Sequence, residues 1–164
     1  MDNLLEILVA IFLGIFPISS ESVEVGSMPV NQTVEVVEVI DGDTIRVLVD
    51  GQIESVRYIG IDTPEPYSKG DPECFSLEAS QRNRELVEGQ EVTLVSDTED
   101  RDKYGRLLRY VYVDEVLINE VLISEGYATT LNIPPNSLYA NVFRQNKEAA
   151  KLNNLGLWSA CADE

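Results

Sequence analysis

A small β-barrel with helices packed outside it, an α+β arrangement, is the fold class this sequence predicts. Runs of β-branched residues recur at short spacing, strong turn signals separate them, and strands outnumber helices without the βαβ alternation that a doubly wound sheet needs. At 164 residues the chain has room for one domain, with a core large enough to fold without metals or disulfides. No internal repeat or low-complexity tract interrupts it.

The elements follow in order. Thr33 to Ile40 and Thr44 to Val49 are dominated by β-branched residues, and Asp50-Gly51 is a type I′ hairpin signal leading into Gln52 to Ile59. This is a three-strand meander. Asp62 to Pro72 holds Pro64, Pro66, Gly70 and Pro72, too many breakers for regular structure, so it reads as a loop on a rigid sheet, where function tends to sit. Phe75 to Glu88 lacks strand alternation, is rich in helix formers and meets a stop signal at Gly89, which predicts a helix. Glu91 to Ser96 returns to a strand, a charged turn covers Asp97 to Gly105, and Leu107 to Val113 is another strand. Val116 to Ser124 reads as a short helix stopped by Gly126, and Leu138 to Asn153 as a last one before Gly156-Leu157-Trp158.

Residues 33–160 therefore form the expected domain. Before it, Leu4 to Ile18 is apolar apart from Glu6, and at roughly 15 residues falls short of the ~20 that span a bilayer as a helix. Residues 1–20 read as a signal peptide or hydrophobic segment, and 21–32 as a polar linker containing Ser and Pro. The positive leader of a signal peptide is missing, since Asp2 precedes the apolar run and no Lys or Arg occurs before Arg46. The expectation is a secreted protein, extracellular or periplasmic. A membrane anchor through residues 4–18 and a helix packed on the domain are the alternatives. The two cysteines, Cys74 and Cys161, are compatible either with one disulfide in an oxidising compartment or with two reduced, independent thiols. On the chain-entropy model a link closing so long a loop is worth roughly 4 to 5 kcal/mol.

Composition limits the chemistry. The chain contains no histidine, which removes the commonest general base, the Ser-His-Asp and Cys-His arrangements and most zinc sites. Any reaction must run on carboxylates, arginines, lysines or tyrosines. The net charge of -17 argues against a nucleic-acid binder, because a polyanion is normally met by a basic surface. Yet all 12 Lys and Arg lie between Arg46 and Lys151, and Arg101, Lys103, Arg106 and Arg109 fall in one short segment, so a local positive site on an acidic body is possible.

Three blocks carry chemistry: Asp41-Gly42-Asp43-Thr44, Arg57 through Glu65, and Asp102-Lys103-Tyr104-Gly105-Arg106. Clustered carboxylates suit a hard cation such as Ca²⁺ or Mg²⁺, and arginine's planar fork matches phosphate oxygens, so together they point to metal-assisted phosphodiester chemistry. Taken singly each has a plainer reading: Asp-Gly-Asp as an ordinary turn, Glu65 as a loop glutamate, Arg57 and Arg106 as structural ion pairs.

In this order, with Asn119-Glu120 and Gly156-Leu157-Trp158 in support, the blocks resemble the staphylococcal nuclease (thermonuclease) family over about Val34 to Trp158. The resemblance implies a five-stranded OB barrel flanked by three helices. It implies Ca²⁺ as cofactor, with Asp43 and Asp62 as carboxylate ligands, Thr63 giving its backbone carbonyl and Asp41 in the outer shell. Glu65 matches the candidate general base, Arg57 and Arg106 the pair that clamps the scissile phosphate, and Lys103 and Tyr104 the contacts to a neighbouring phosphate and sugar. The chain departs from the pattern where the family carries base-stacking tyrosines and this sequence reads Thr130-Leu131-Asn132-Ile133-Pro134-Pro135. Tyr127 or Tyr139 could compensate, or serve only as core aromatics.

The implied activity is a monomeric, Ca²⁺-dependent endonuclease or phosphodiesterase that hydrolyses DNA and RNA, preferably single-stranded. Water attacks phosphorus and the products carry 3′-phosphates. The competing expectation is a non-catalytic OB-fold module that binds nucleic acid or a protein. A glycosidase using Asp62 and Glu65 is chemically thinkable but leaves both arginines without a role.

Overall fold

Antiparallel hairpins closed by one parallel pairing make the barrel. The computed structural model describes residues 31–67 and 70–161; the expected signal segment 1–20 and the linker up to residue 30 lie outside the described residues. β1 (Asn31–Val39) pairs with β2 (Thr44–Val49), and β2 with β3 (Gln52–Tyr58), through a turn in which Asp50 and Gly51 have φ of 49° and 80°, the left-handed pair that a type I′ hairpin requires. β1 also pairs with β5 (Glu91–Val95), β5 with β6 (Leu107–Val113), and β6 runs parallel to β3, closing a five-stranded OB barrel.

Alternation fills its interior. Val34 and Val36 point inward until a bulge between Val36 and Glu38 shifts the register, after which Val39 is inside and Glu38 pairs with Arg46 outside at 2.7 Å. Ile45, Val47, Val56, Val92, Leu94 and Val111 complete the barrel core. α1 (Ser76–Val87) buries Ala79, Asn83 and Val87, α2 (Ile118–Ser124) buries Leu122 and Ile123, and α3 (Ala140–Leu152) buries Phe143 and Ala150. A four-residue α4 (Leu157–Ala160) is the last element among the described residues. Cys74 and Cys161 are joined as a disulfide with Cα atoms 6.0 Å apart, tying the start of α1 to the end of α4.

Several boundaries differ from those the pattern predicts. β1 begins at Asn31, and the last strand of the meander stops at Tyr58. There the chain turns at Gly60, whose φ is 82° and whose position leaves no room for a Cβ, since one would lie 2.8 Å from the Phe143 ring. The continuation, β4 (Gly60–Asp62), leaves the barrel and pairs antiparallel with β8 (Thr129–Leu131), a strand too short to signal itself. The helix expected over Val116–Ser124 starts two residues late because β7 (Val116–Leu117) first pairs back on β6, the β-branched Val116 opposite Val113. Among the described residues no helix is long and apolar enough to cross a membrane.

Candidate active site

The Asp41–Thr44 turn is over-determined. The amides of Ile40 and Asp41 donate to the Thr44 carbonyl, and the Asp43 amide donates to Asp41 Oδ1 at 3.0 Å. Asn83 reaches out of α1 to donate to the Asp41 carbonyl at 2.9 Å and accepts from the buried Tyr58 hydroxyl at 3.0 Å. Gly42 is required by crowding: a Cβ there would lie 2.6 Å from Thr63 Oγ1. That close approach lets Thr63 bond Asp43, its amide at 2.8 Å and its hydroxyl at 3.1 Å from Oδ2.

Asp43 is fully buried, and its charge is met by Arg57, which pairs with it through Nη1. The same guanidinium uses Nη2 to hold Asp62 at 2.6 Å and donates to the Ile61 carbonyl at 3.3 Å. Asp43, Asp62 and Thr63 are thus brought together around Arg57. Asp41 sits behind them in its own turn; burial pushes its carboxyl above the ordinary carboxylate range, with the Arg57 charge opposing.

Glu65 follows on the loop. Its amide donates to Glu73 Oε2 at 2.8 Å, and the Glu73 amide donates to the Glu65 carbonyl at 3.1 Å. Although the residue as a whole is exposed, partial burial of the carboxyl raises its pKa. The negative charge of Asp41 adds to this, Arg57 opposes it, and Asp62 and Glu73 push the same way as Asp41.

The second arginine arrives through the parallel pairing. Its register sets Arg57 opposite Leu108, so the turn before β6 carries Arg106 to the same end of the barrel. Asp102 shapes that turn by accepting from the amides of Tyr104 and Arg106 and from Arg106 Nε at 2.7 Å. Burial alone would raise the Asp102 pKa, but these bonds, led by the Arg106 side chain, hold it below the usual value. Tyr104 is largely exposed, with Lys103 Nζ 5.0 Å and Arg106 Cζ 5.5 Å from its ring centre. Acidic partners hold two of the other arginines of this segment. Arg101 is held by Glu54 at 2.9 Å, and Arg109 by Asp100 at 2.6 Å.

A cavity of about 370 Å³ is lined by Arg57, Lys103, Tyr104, Arg106, Leu131 and Ile133. A larger cleft, about 530 Å³, lies between α1 and Pro66–Tyr67 and has neither Arg57 nor Arg106 in its wall, so the chemistry points to the smaller one. Leu131 and Ile133 therefore occupy wall positions on the segment where the resemblance implied aromatics. Neither alternative tyrosine lines this cavity: Tyr127 stacks on Phe75 at 5.3 Å beside the larger cleft, and Tyr139 packs edge-on to Tyr110 at 4.7 Å.

Sequence reasoning missed the supporting amides. Asn136 bonds both the amide and the carbonyl of Glu99, at 2.7 and 2.9 Å, fixing the loop that leads to Lys103. Asn119 bridges the Ile59 carbonyl and the Val111 amide where β3 leaves the barrel. These and Asn83 are fully or almost fully buried polar residues. Burial is invisible in sequence, and only Asn119 stood in a motif.

Fold and site together define an OB-barrel domain in which two arginines line one cavity, Arg57 pairing with the buried Asp43 and the half-exposed Asp62. The model of the staphylococcal nuclease homologues matches residues 55–160, and the chain belongs to that family. It is 45% identical over 125 residues to "Endonuclease YncB" of Bacillus subtilis (strain 168), covering 73% of this chain and 58% of that protein. Against "SPbeta prophage-derived endonuclease YokF" of the same strain it is 44% identical, covering 73% of this chain and 42% of that protein. Against "Thermonuclease" of Staphylococcus intermedius it is 40% identical over 121 residues, covering 73% and 72% of the two chains. The match thus spans about half the length of the two Bacillus proteins.

Proposed function

We propose that this chain is a Ca²⁺-dependent nuclease that hydrolyses phosphodiester bonds in DNA and RNA, preferably single-stranded. The observation that carries the reading is the cavity lined by both Arg57 and Arg106, with Arg57 paired to Asp43 and Asp62. Relatives named endonuclease and thermonuclease support it.

The donor set is of the type a hard cation takes, although among the described residues no group of three or more His, Cys, Asp or Glu side chains is placed to hold one. Asp43 and Asp62 approach closely enough to share one guanidinium, and with the Thr63 carbonyl they offer oxygen ligands alone. Calcium bound there would supply positive charge to a substrate phosphate oxygen.

This chain's own residues do the rest. Arg57 and Arg106 clamp the scissile phosphate and meet the negative charge that grows on it as water adds. Glu65 accepts the proton of that water, which bonds to phosphorus while the bond to the 5′-oxygen breaks. That oxygen takes a proton from solvent and leaves as a hydroxyl, and the other strand end keeps a 3′-phosphate. Partial burial and the neighbouring carboxylates raise the Glu65 pKa, which makes this side chain a better base than an ordinary glutamate. Lys103 and Tyr104 hold the adjoining phosphate and sugar. Leu131 and Ile133 give the base an apolar wall without stacking, so base preference is weak.

The disulfide supports an oxidising location, extracellular or periplasmic, for a monomer acting on nucleic acid. One set of observations favours a non-catalytic binding module instead: the pairing of Arg101 and Arg109 with acidic residues and the aliphatic cavity wall. Incubation of denatured DNA with the protein in calcium, magnesium or chelator separates the two, with product ends read by mass spectrometry. Calcium-dependent cutting to 3′-phosphates supports the nuclease. Tight binding without cutting in calcium refutes it.

A further inference from the structure

Glu65 stands on a breaker-rich loop in which no described residue from Thr63 to the start of α1 is held by strand pairing, yet its place is defined from both sides. On one side Thr63 is bonded to buried Asp43 through amide and hydroxyl. On the other, Glu65 and Glu73 exchange two hydrogen bonds across eight residues, one of them from the Glu65 amide to the Glu73 carboxylate at 2.8 Å.

Glu73 is itself anchored. Its carbonyl accepts from the Ser76 amide at 3.1 Å at the head of α1, and its neighbour Cys74 is bonded to Cys161. Cys161 belongs to the α4 segment, where the Leu157 amide donates to the Gly126 carbonyl at 2.9 Å and the Gly126 and Gly156 backbones touch too closely for any side chain. The far end of the disulfide is thus fixed to the body of the domain.

We propose that Glu73 and the Cys74–Cys161 disulfide form a clamp that positions Glu65, Glu73 acting as a positioning residue that touches no substrate. This deepens the nuclease reading and rests on Glu65 as the proton acceptor. A carboxylate accepting a backbone N–H makes a charge-assisted bond, and the disulfide removes much of the freedom the loop would otherwise regain. Displacing a reacting group by about 1 Å can cost on the order of 100-fold in rate, so the clamp acts on turnover and leaves the arginines' hold on phosphate unchanged.

The test uses the oxidised 164-residue chain with Glu73→Ala, Glu73→Gln and the paired Cys74→Ser and Cys161→Ser variants. Cleavage of denatured DNA in calcium is read alongside hydrogen exchange at the Glu65 amide. Glu73→Ala is expected to lower kcat about 10- to 100-fold with KM within about twofold and to expose the amide. Glu73→Gln, which keeps an acceptor oxygen, restores most of both. The serine pair lowers kcat and protection in the same direction. A Glu73→Ala variant that keeps kcat and amide protection, or that changes KM alone, overturns the clamp. Wild-type protein that does not cut would sink the nuclease reading instead, and amide protection would still decide the clamp.

Discussion

Arg57→Ala separates the structural and catalytic duties of the cluster. The Arg57 side chain is 11% exposed and neutralises Asp43, whose side chain is 0% exposed, together with Asp62, which is 45% exposed. Removing one partner of a buried pair typically costs about 3–5 kcal/mol, because the other charge stays buried and uncompensated. The lower end applies here. Asp43 keeps bonds from the Thr63 amide, the Thr63 hydroxyl and the Thr44 hydroxyl, and the half-exposed Asp62 can turn to water. A loss of about 3 kcal/mol lowers Tm by roughly 10 °C in a domain of this size.

Calcium should reverse much of that loss. With the guanidinium gone, a cation is the natural neutraliser of the two carboxylates, so it stabilises the variant more than the wild type. The assay is thermal unfolding of both proteins in chelator and in saturating calcium. Equal melting of variant and wild type in chelator, or an equal calcium shift in both, would refute the assignment of Arg57 as counter-ion and of Asp43 and Asp62 as ligands.

Other consequences are read more simply. Leu131→Tyr places an aromatic on the cavity wall and is expected to tighten binding of a nucleoside bisphosphate by roughly tenfold, on the order of one stacking contact, in a calorimetric titration. Because the Glu65 pKa is raised by burial and by the surrounding carboxylates, cleavage should fall away on acidification at a pH above the ordinary 4.5 of glutamate. A pH–rate profile with its acid limb at or below that value would contradict the environment described. Asp97 is held below its usual 3.8: burial works the other way, but bonds from the Leu138 amide, the Tyr110 hydroxyl and Thr98 prevail. Its stabilising contribution is therefore complete above about 3.8 and is lost as pH falls below it, so Asp97→Asn should flatten the acid decline of Tm.

Much of the barrel was legible because its strands obey local rules. Asp50-Gly51 signalled a tight hairpin, and the β-branched runs of β1 and β2 left one face to bury. What stayed hidden depends on distant partners. β4 and β8 are three residues each and exist because Gly60 turns the chain against Phe143, a contact 83 positions away in sequence that no local pattern encodes. The site shows the same division. Its charged residues stood out as types and spacings. By contrast, the sharing of Arg57 between Asp43 and Asp62, the parallel register that delivers Arg106, and the buried amides of Asn83 and Asn136 follow from packing. The partners of the basic segment Arg101–Arg109 were hidden too, because Glu54 and Asp100 meet Arg101 and Arg109 only in the folded chain.

The central claim is that Arg57 and Arg106 act on one phosphate in this cavity. Rates of cleavage of heat-denatured DNA in calcium by the wild type and by Arg57→Ala and Arg106→Ala, each checked for folding at the assay temperature, test it most directly. The account predicts cutting by the wild type and a loss of at least about 100-fold in either variant, the scale of a removed transition-state charge contact. A folded variant that cuts at the wild-type rate, or a folded wild type that does not cut, would contradict it.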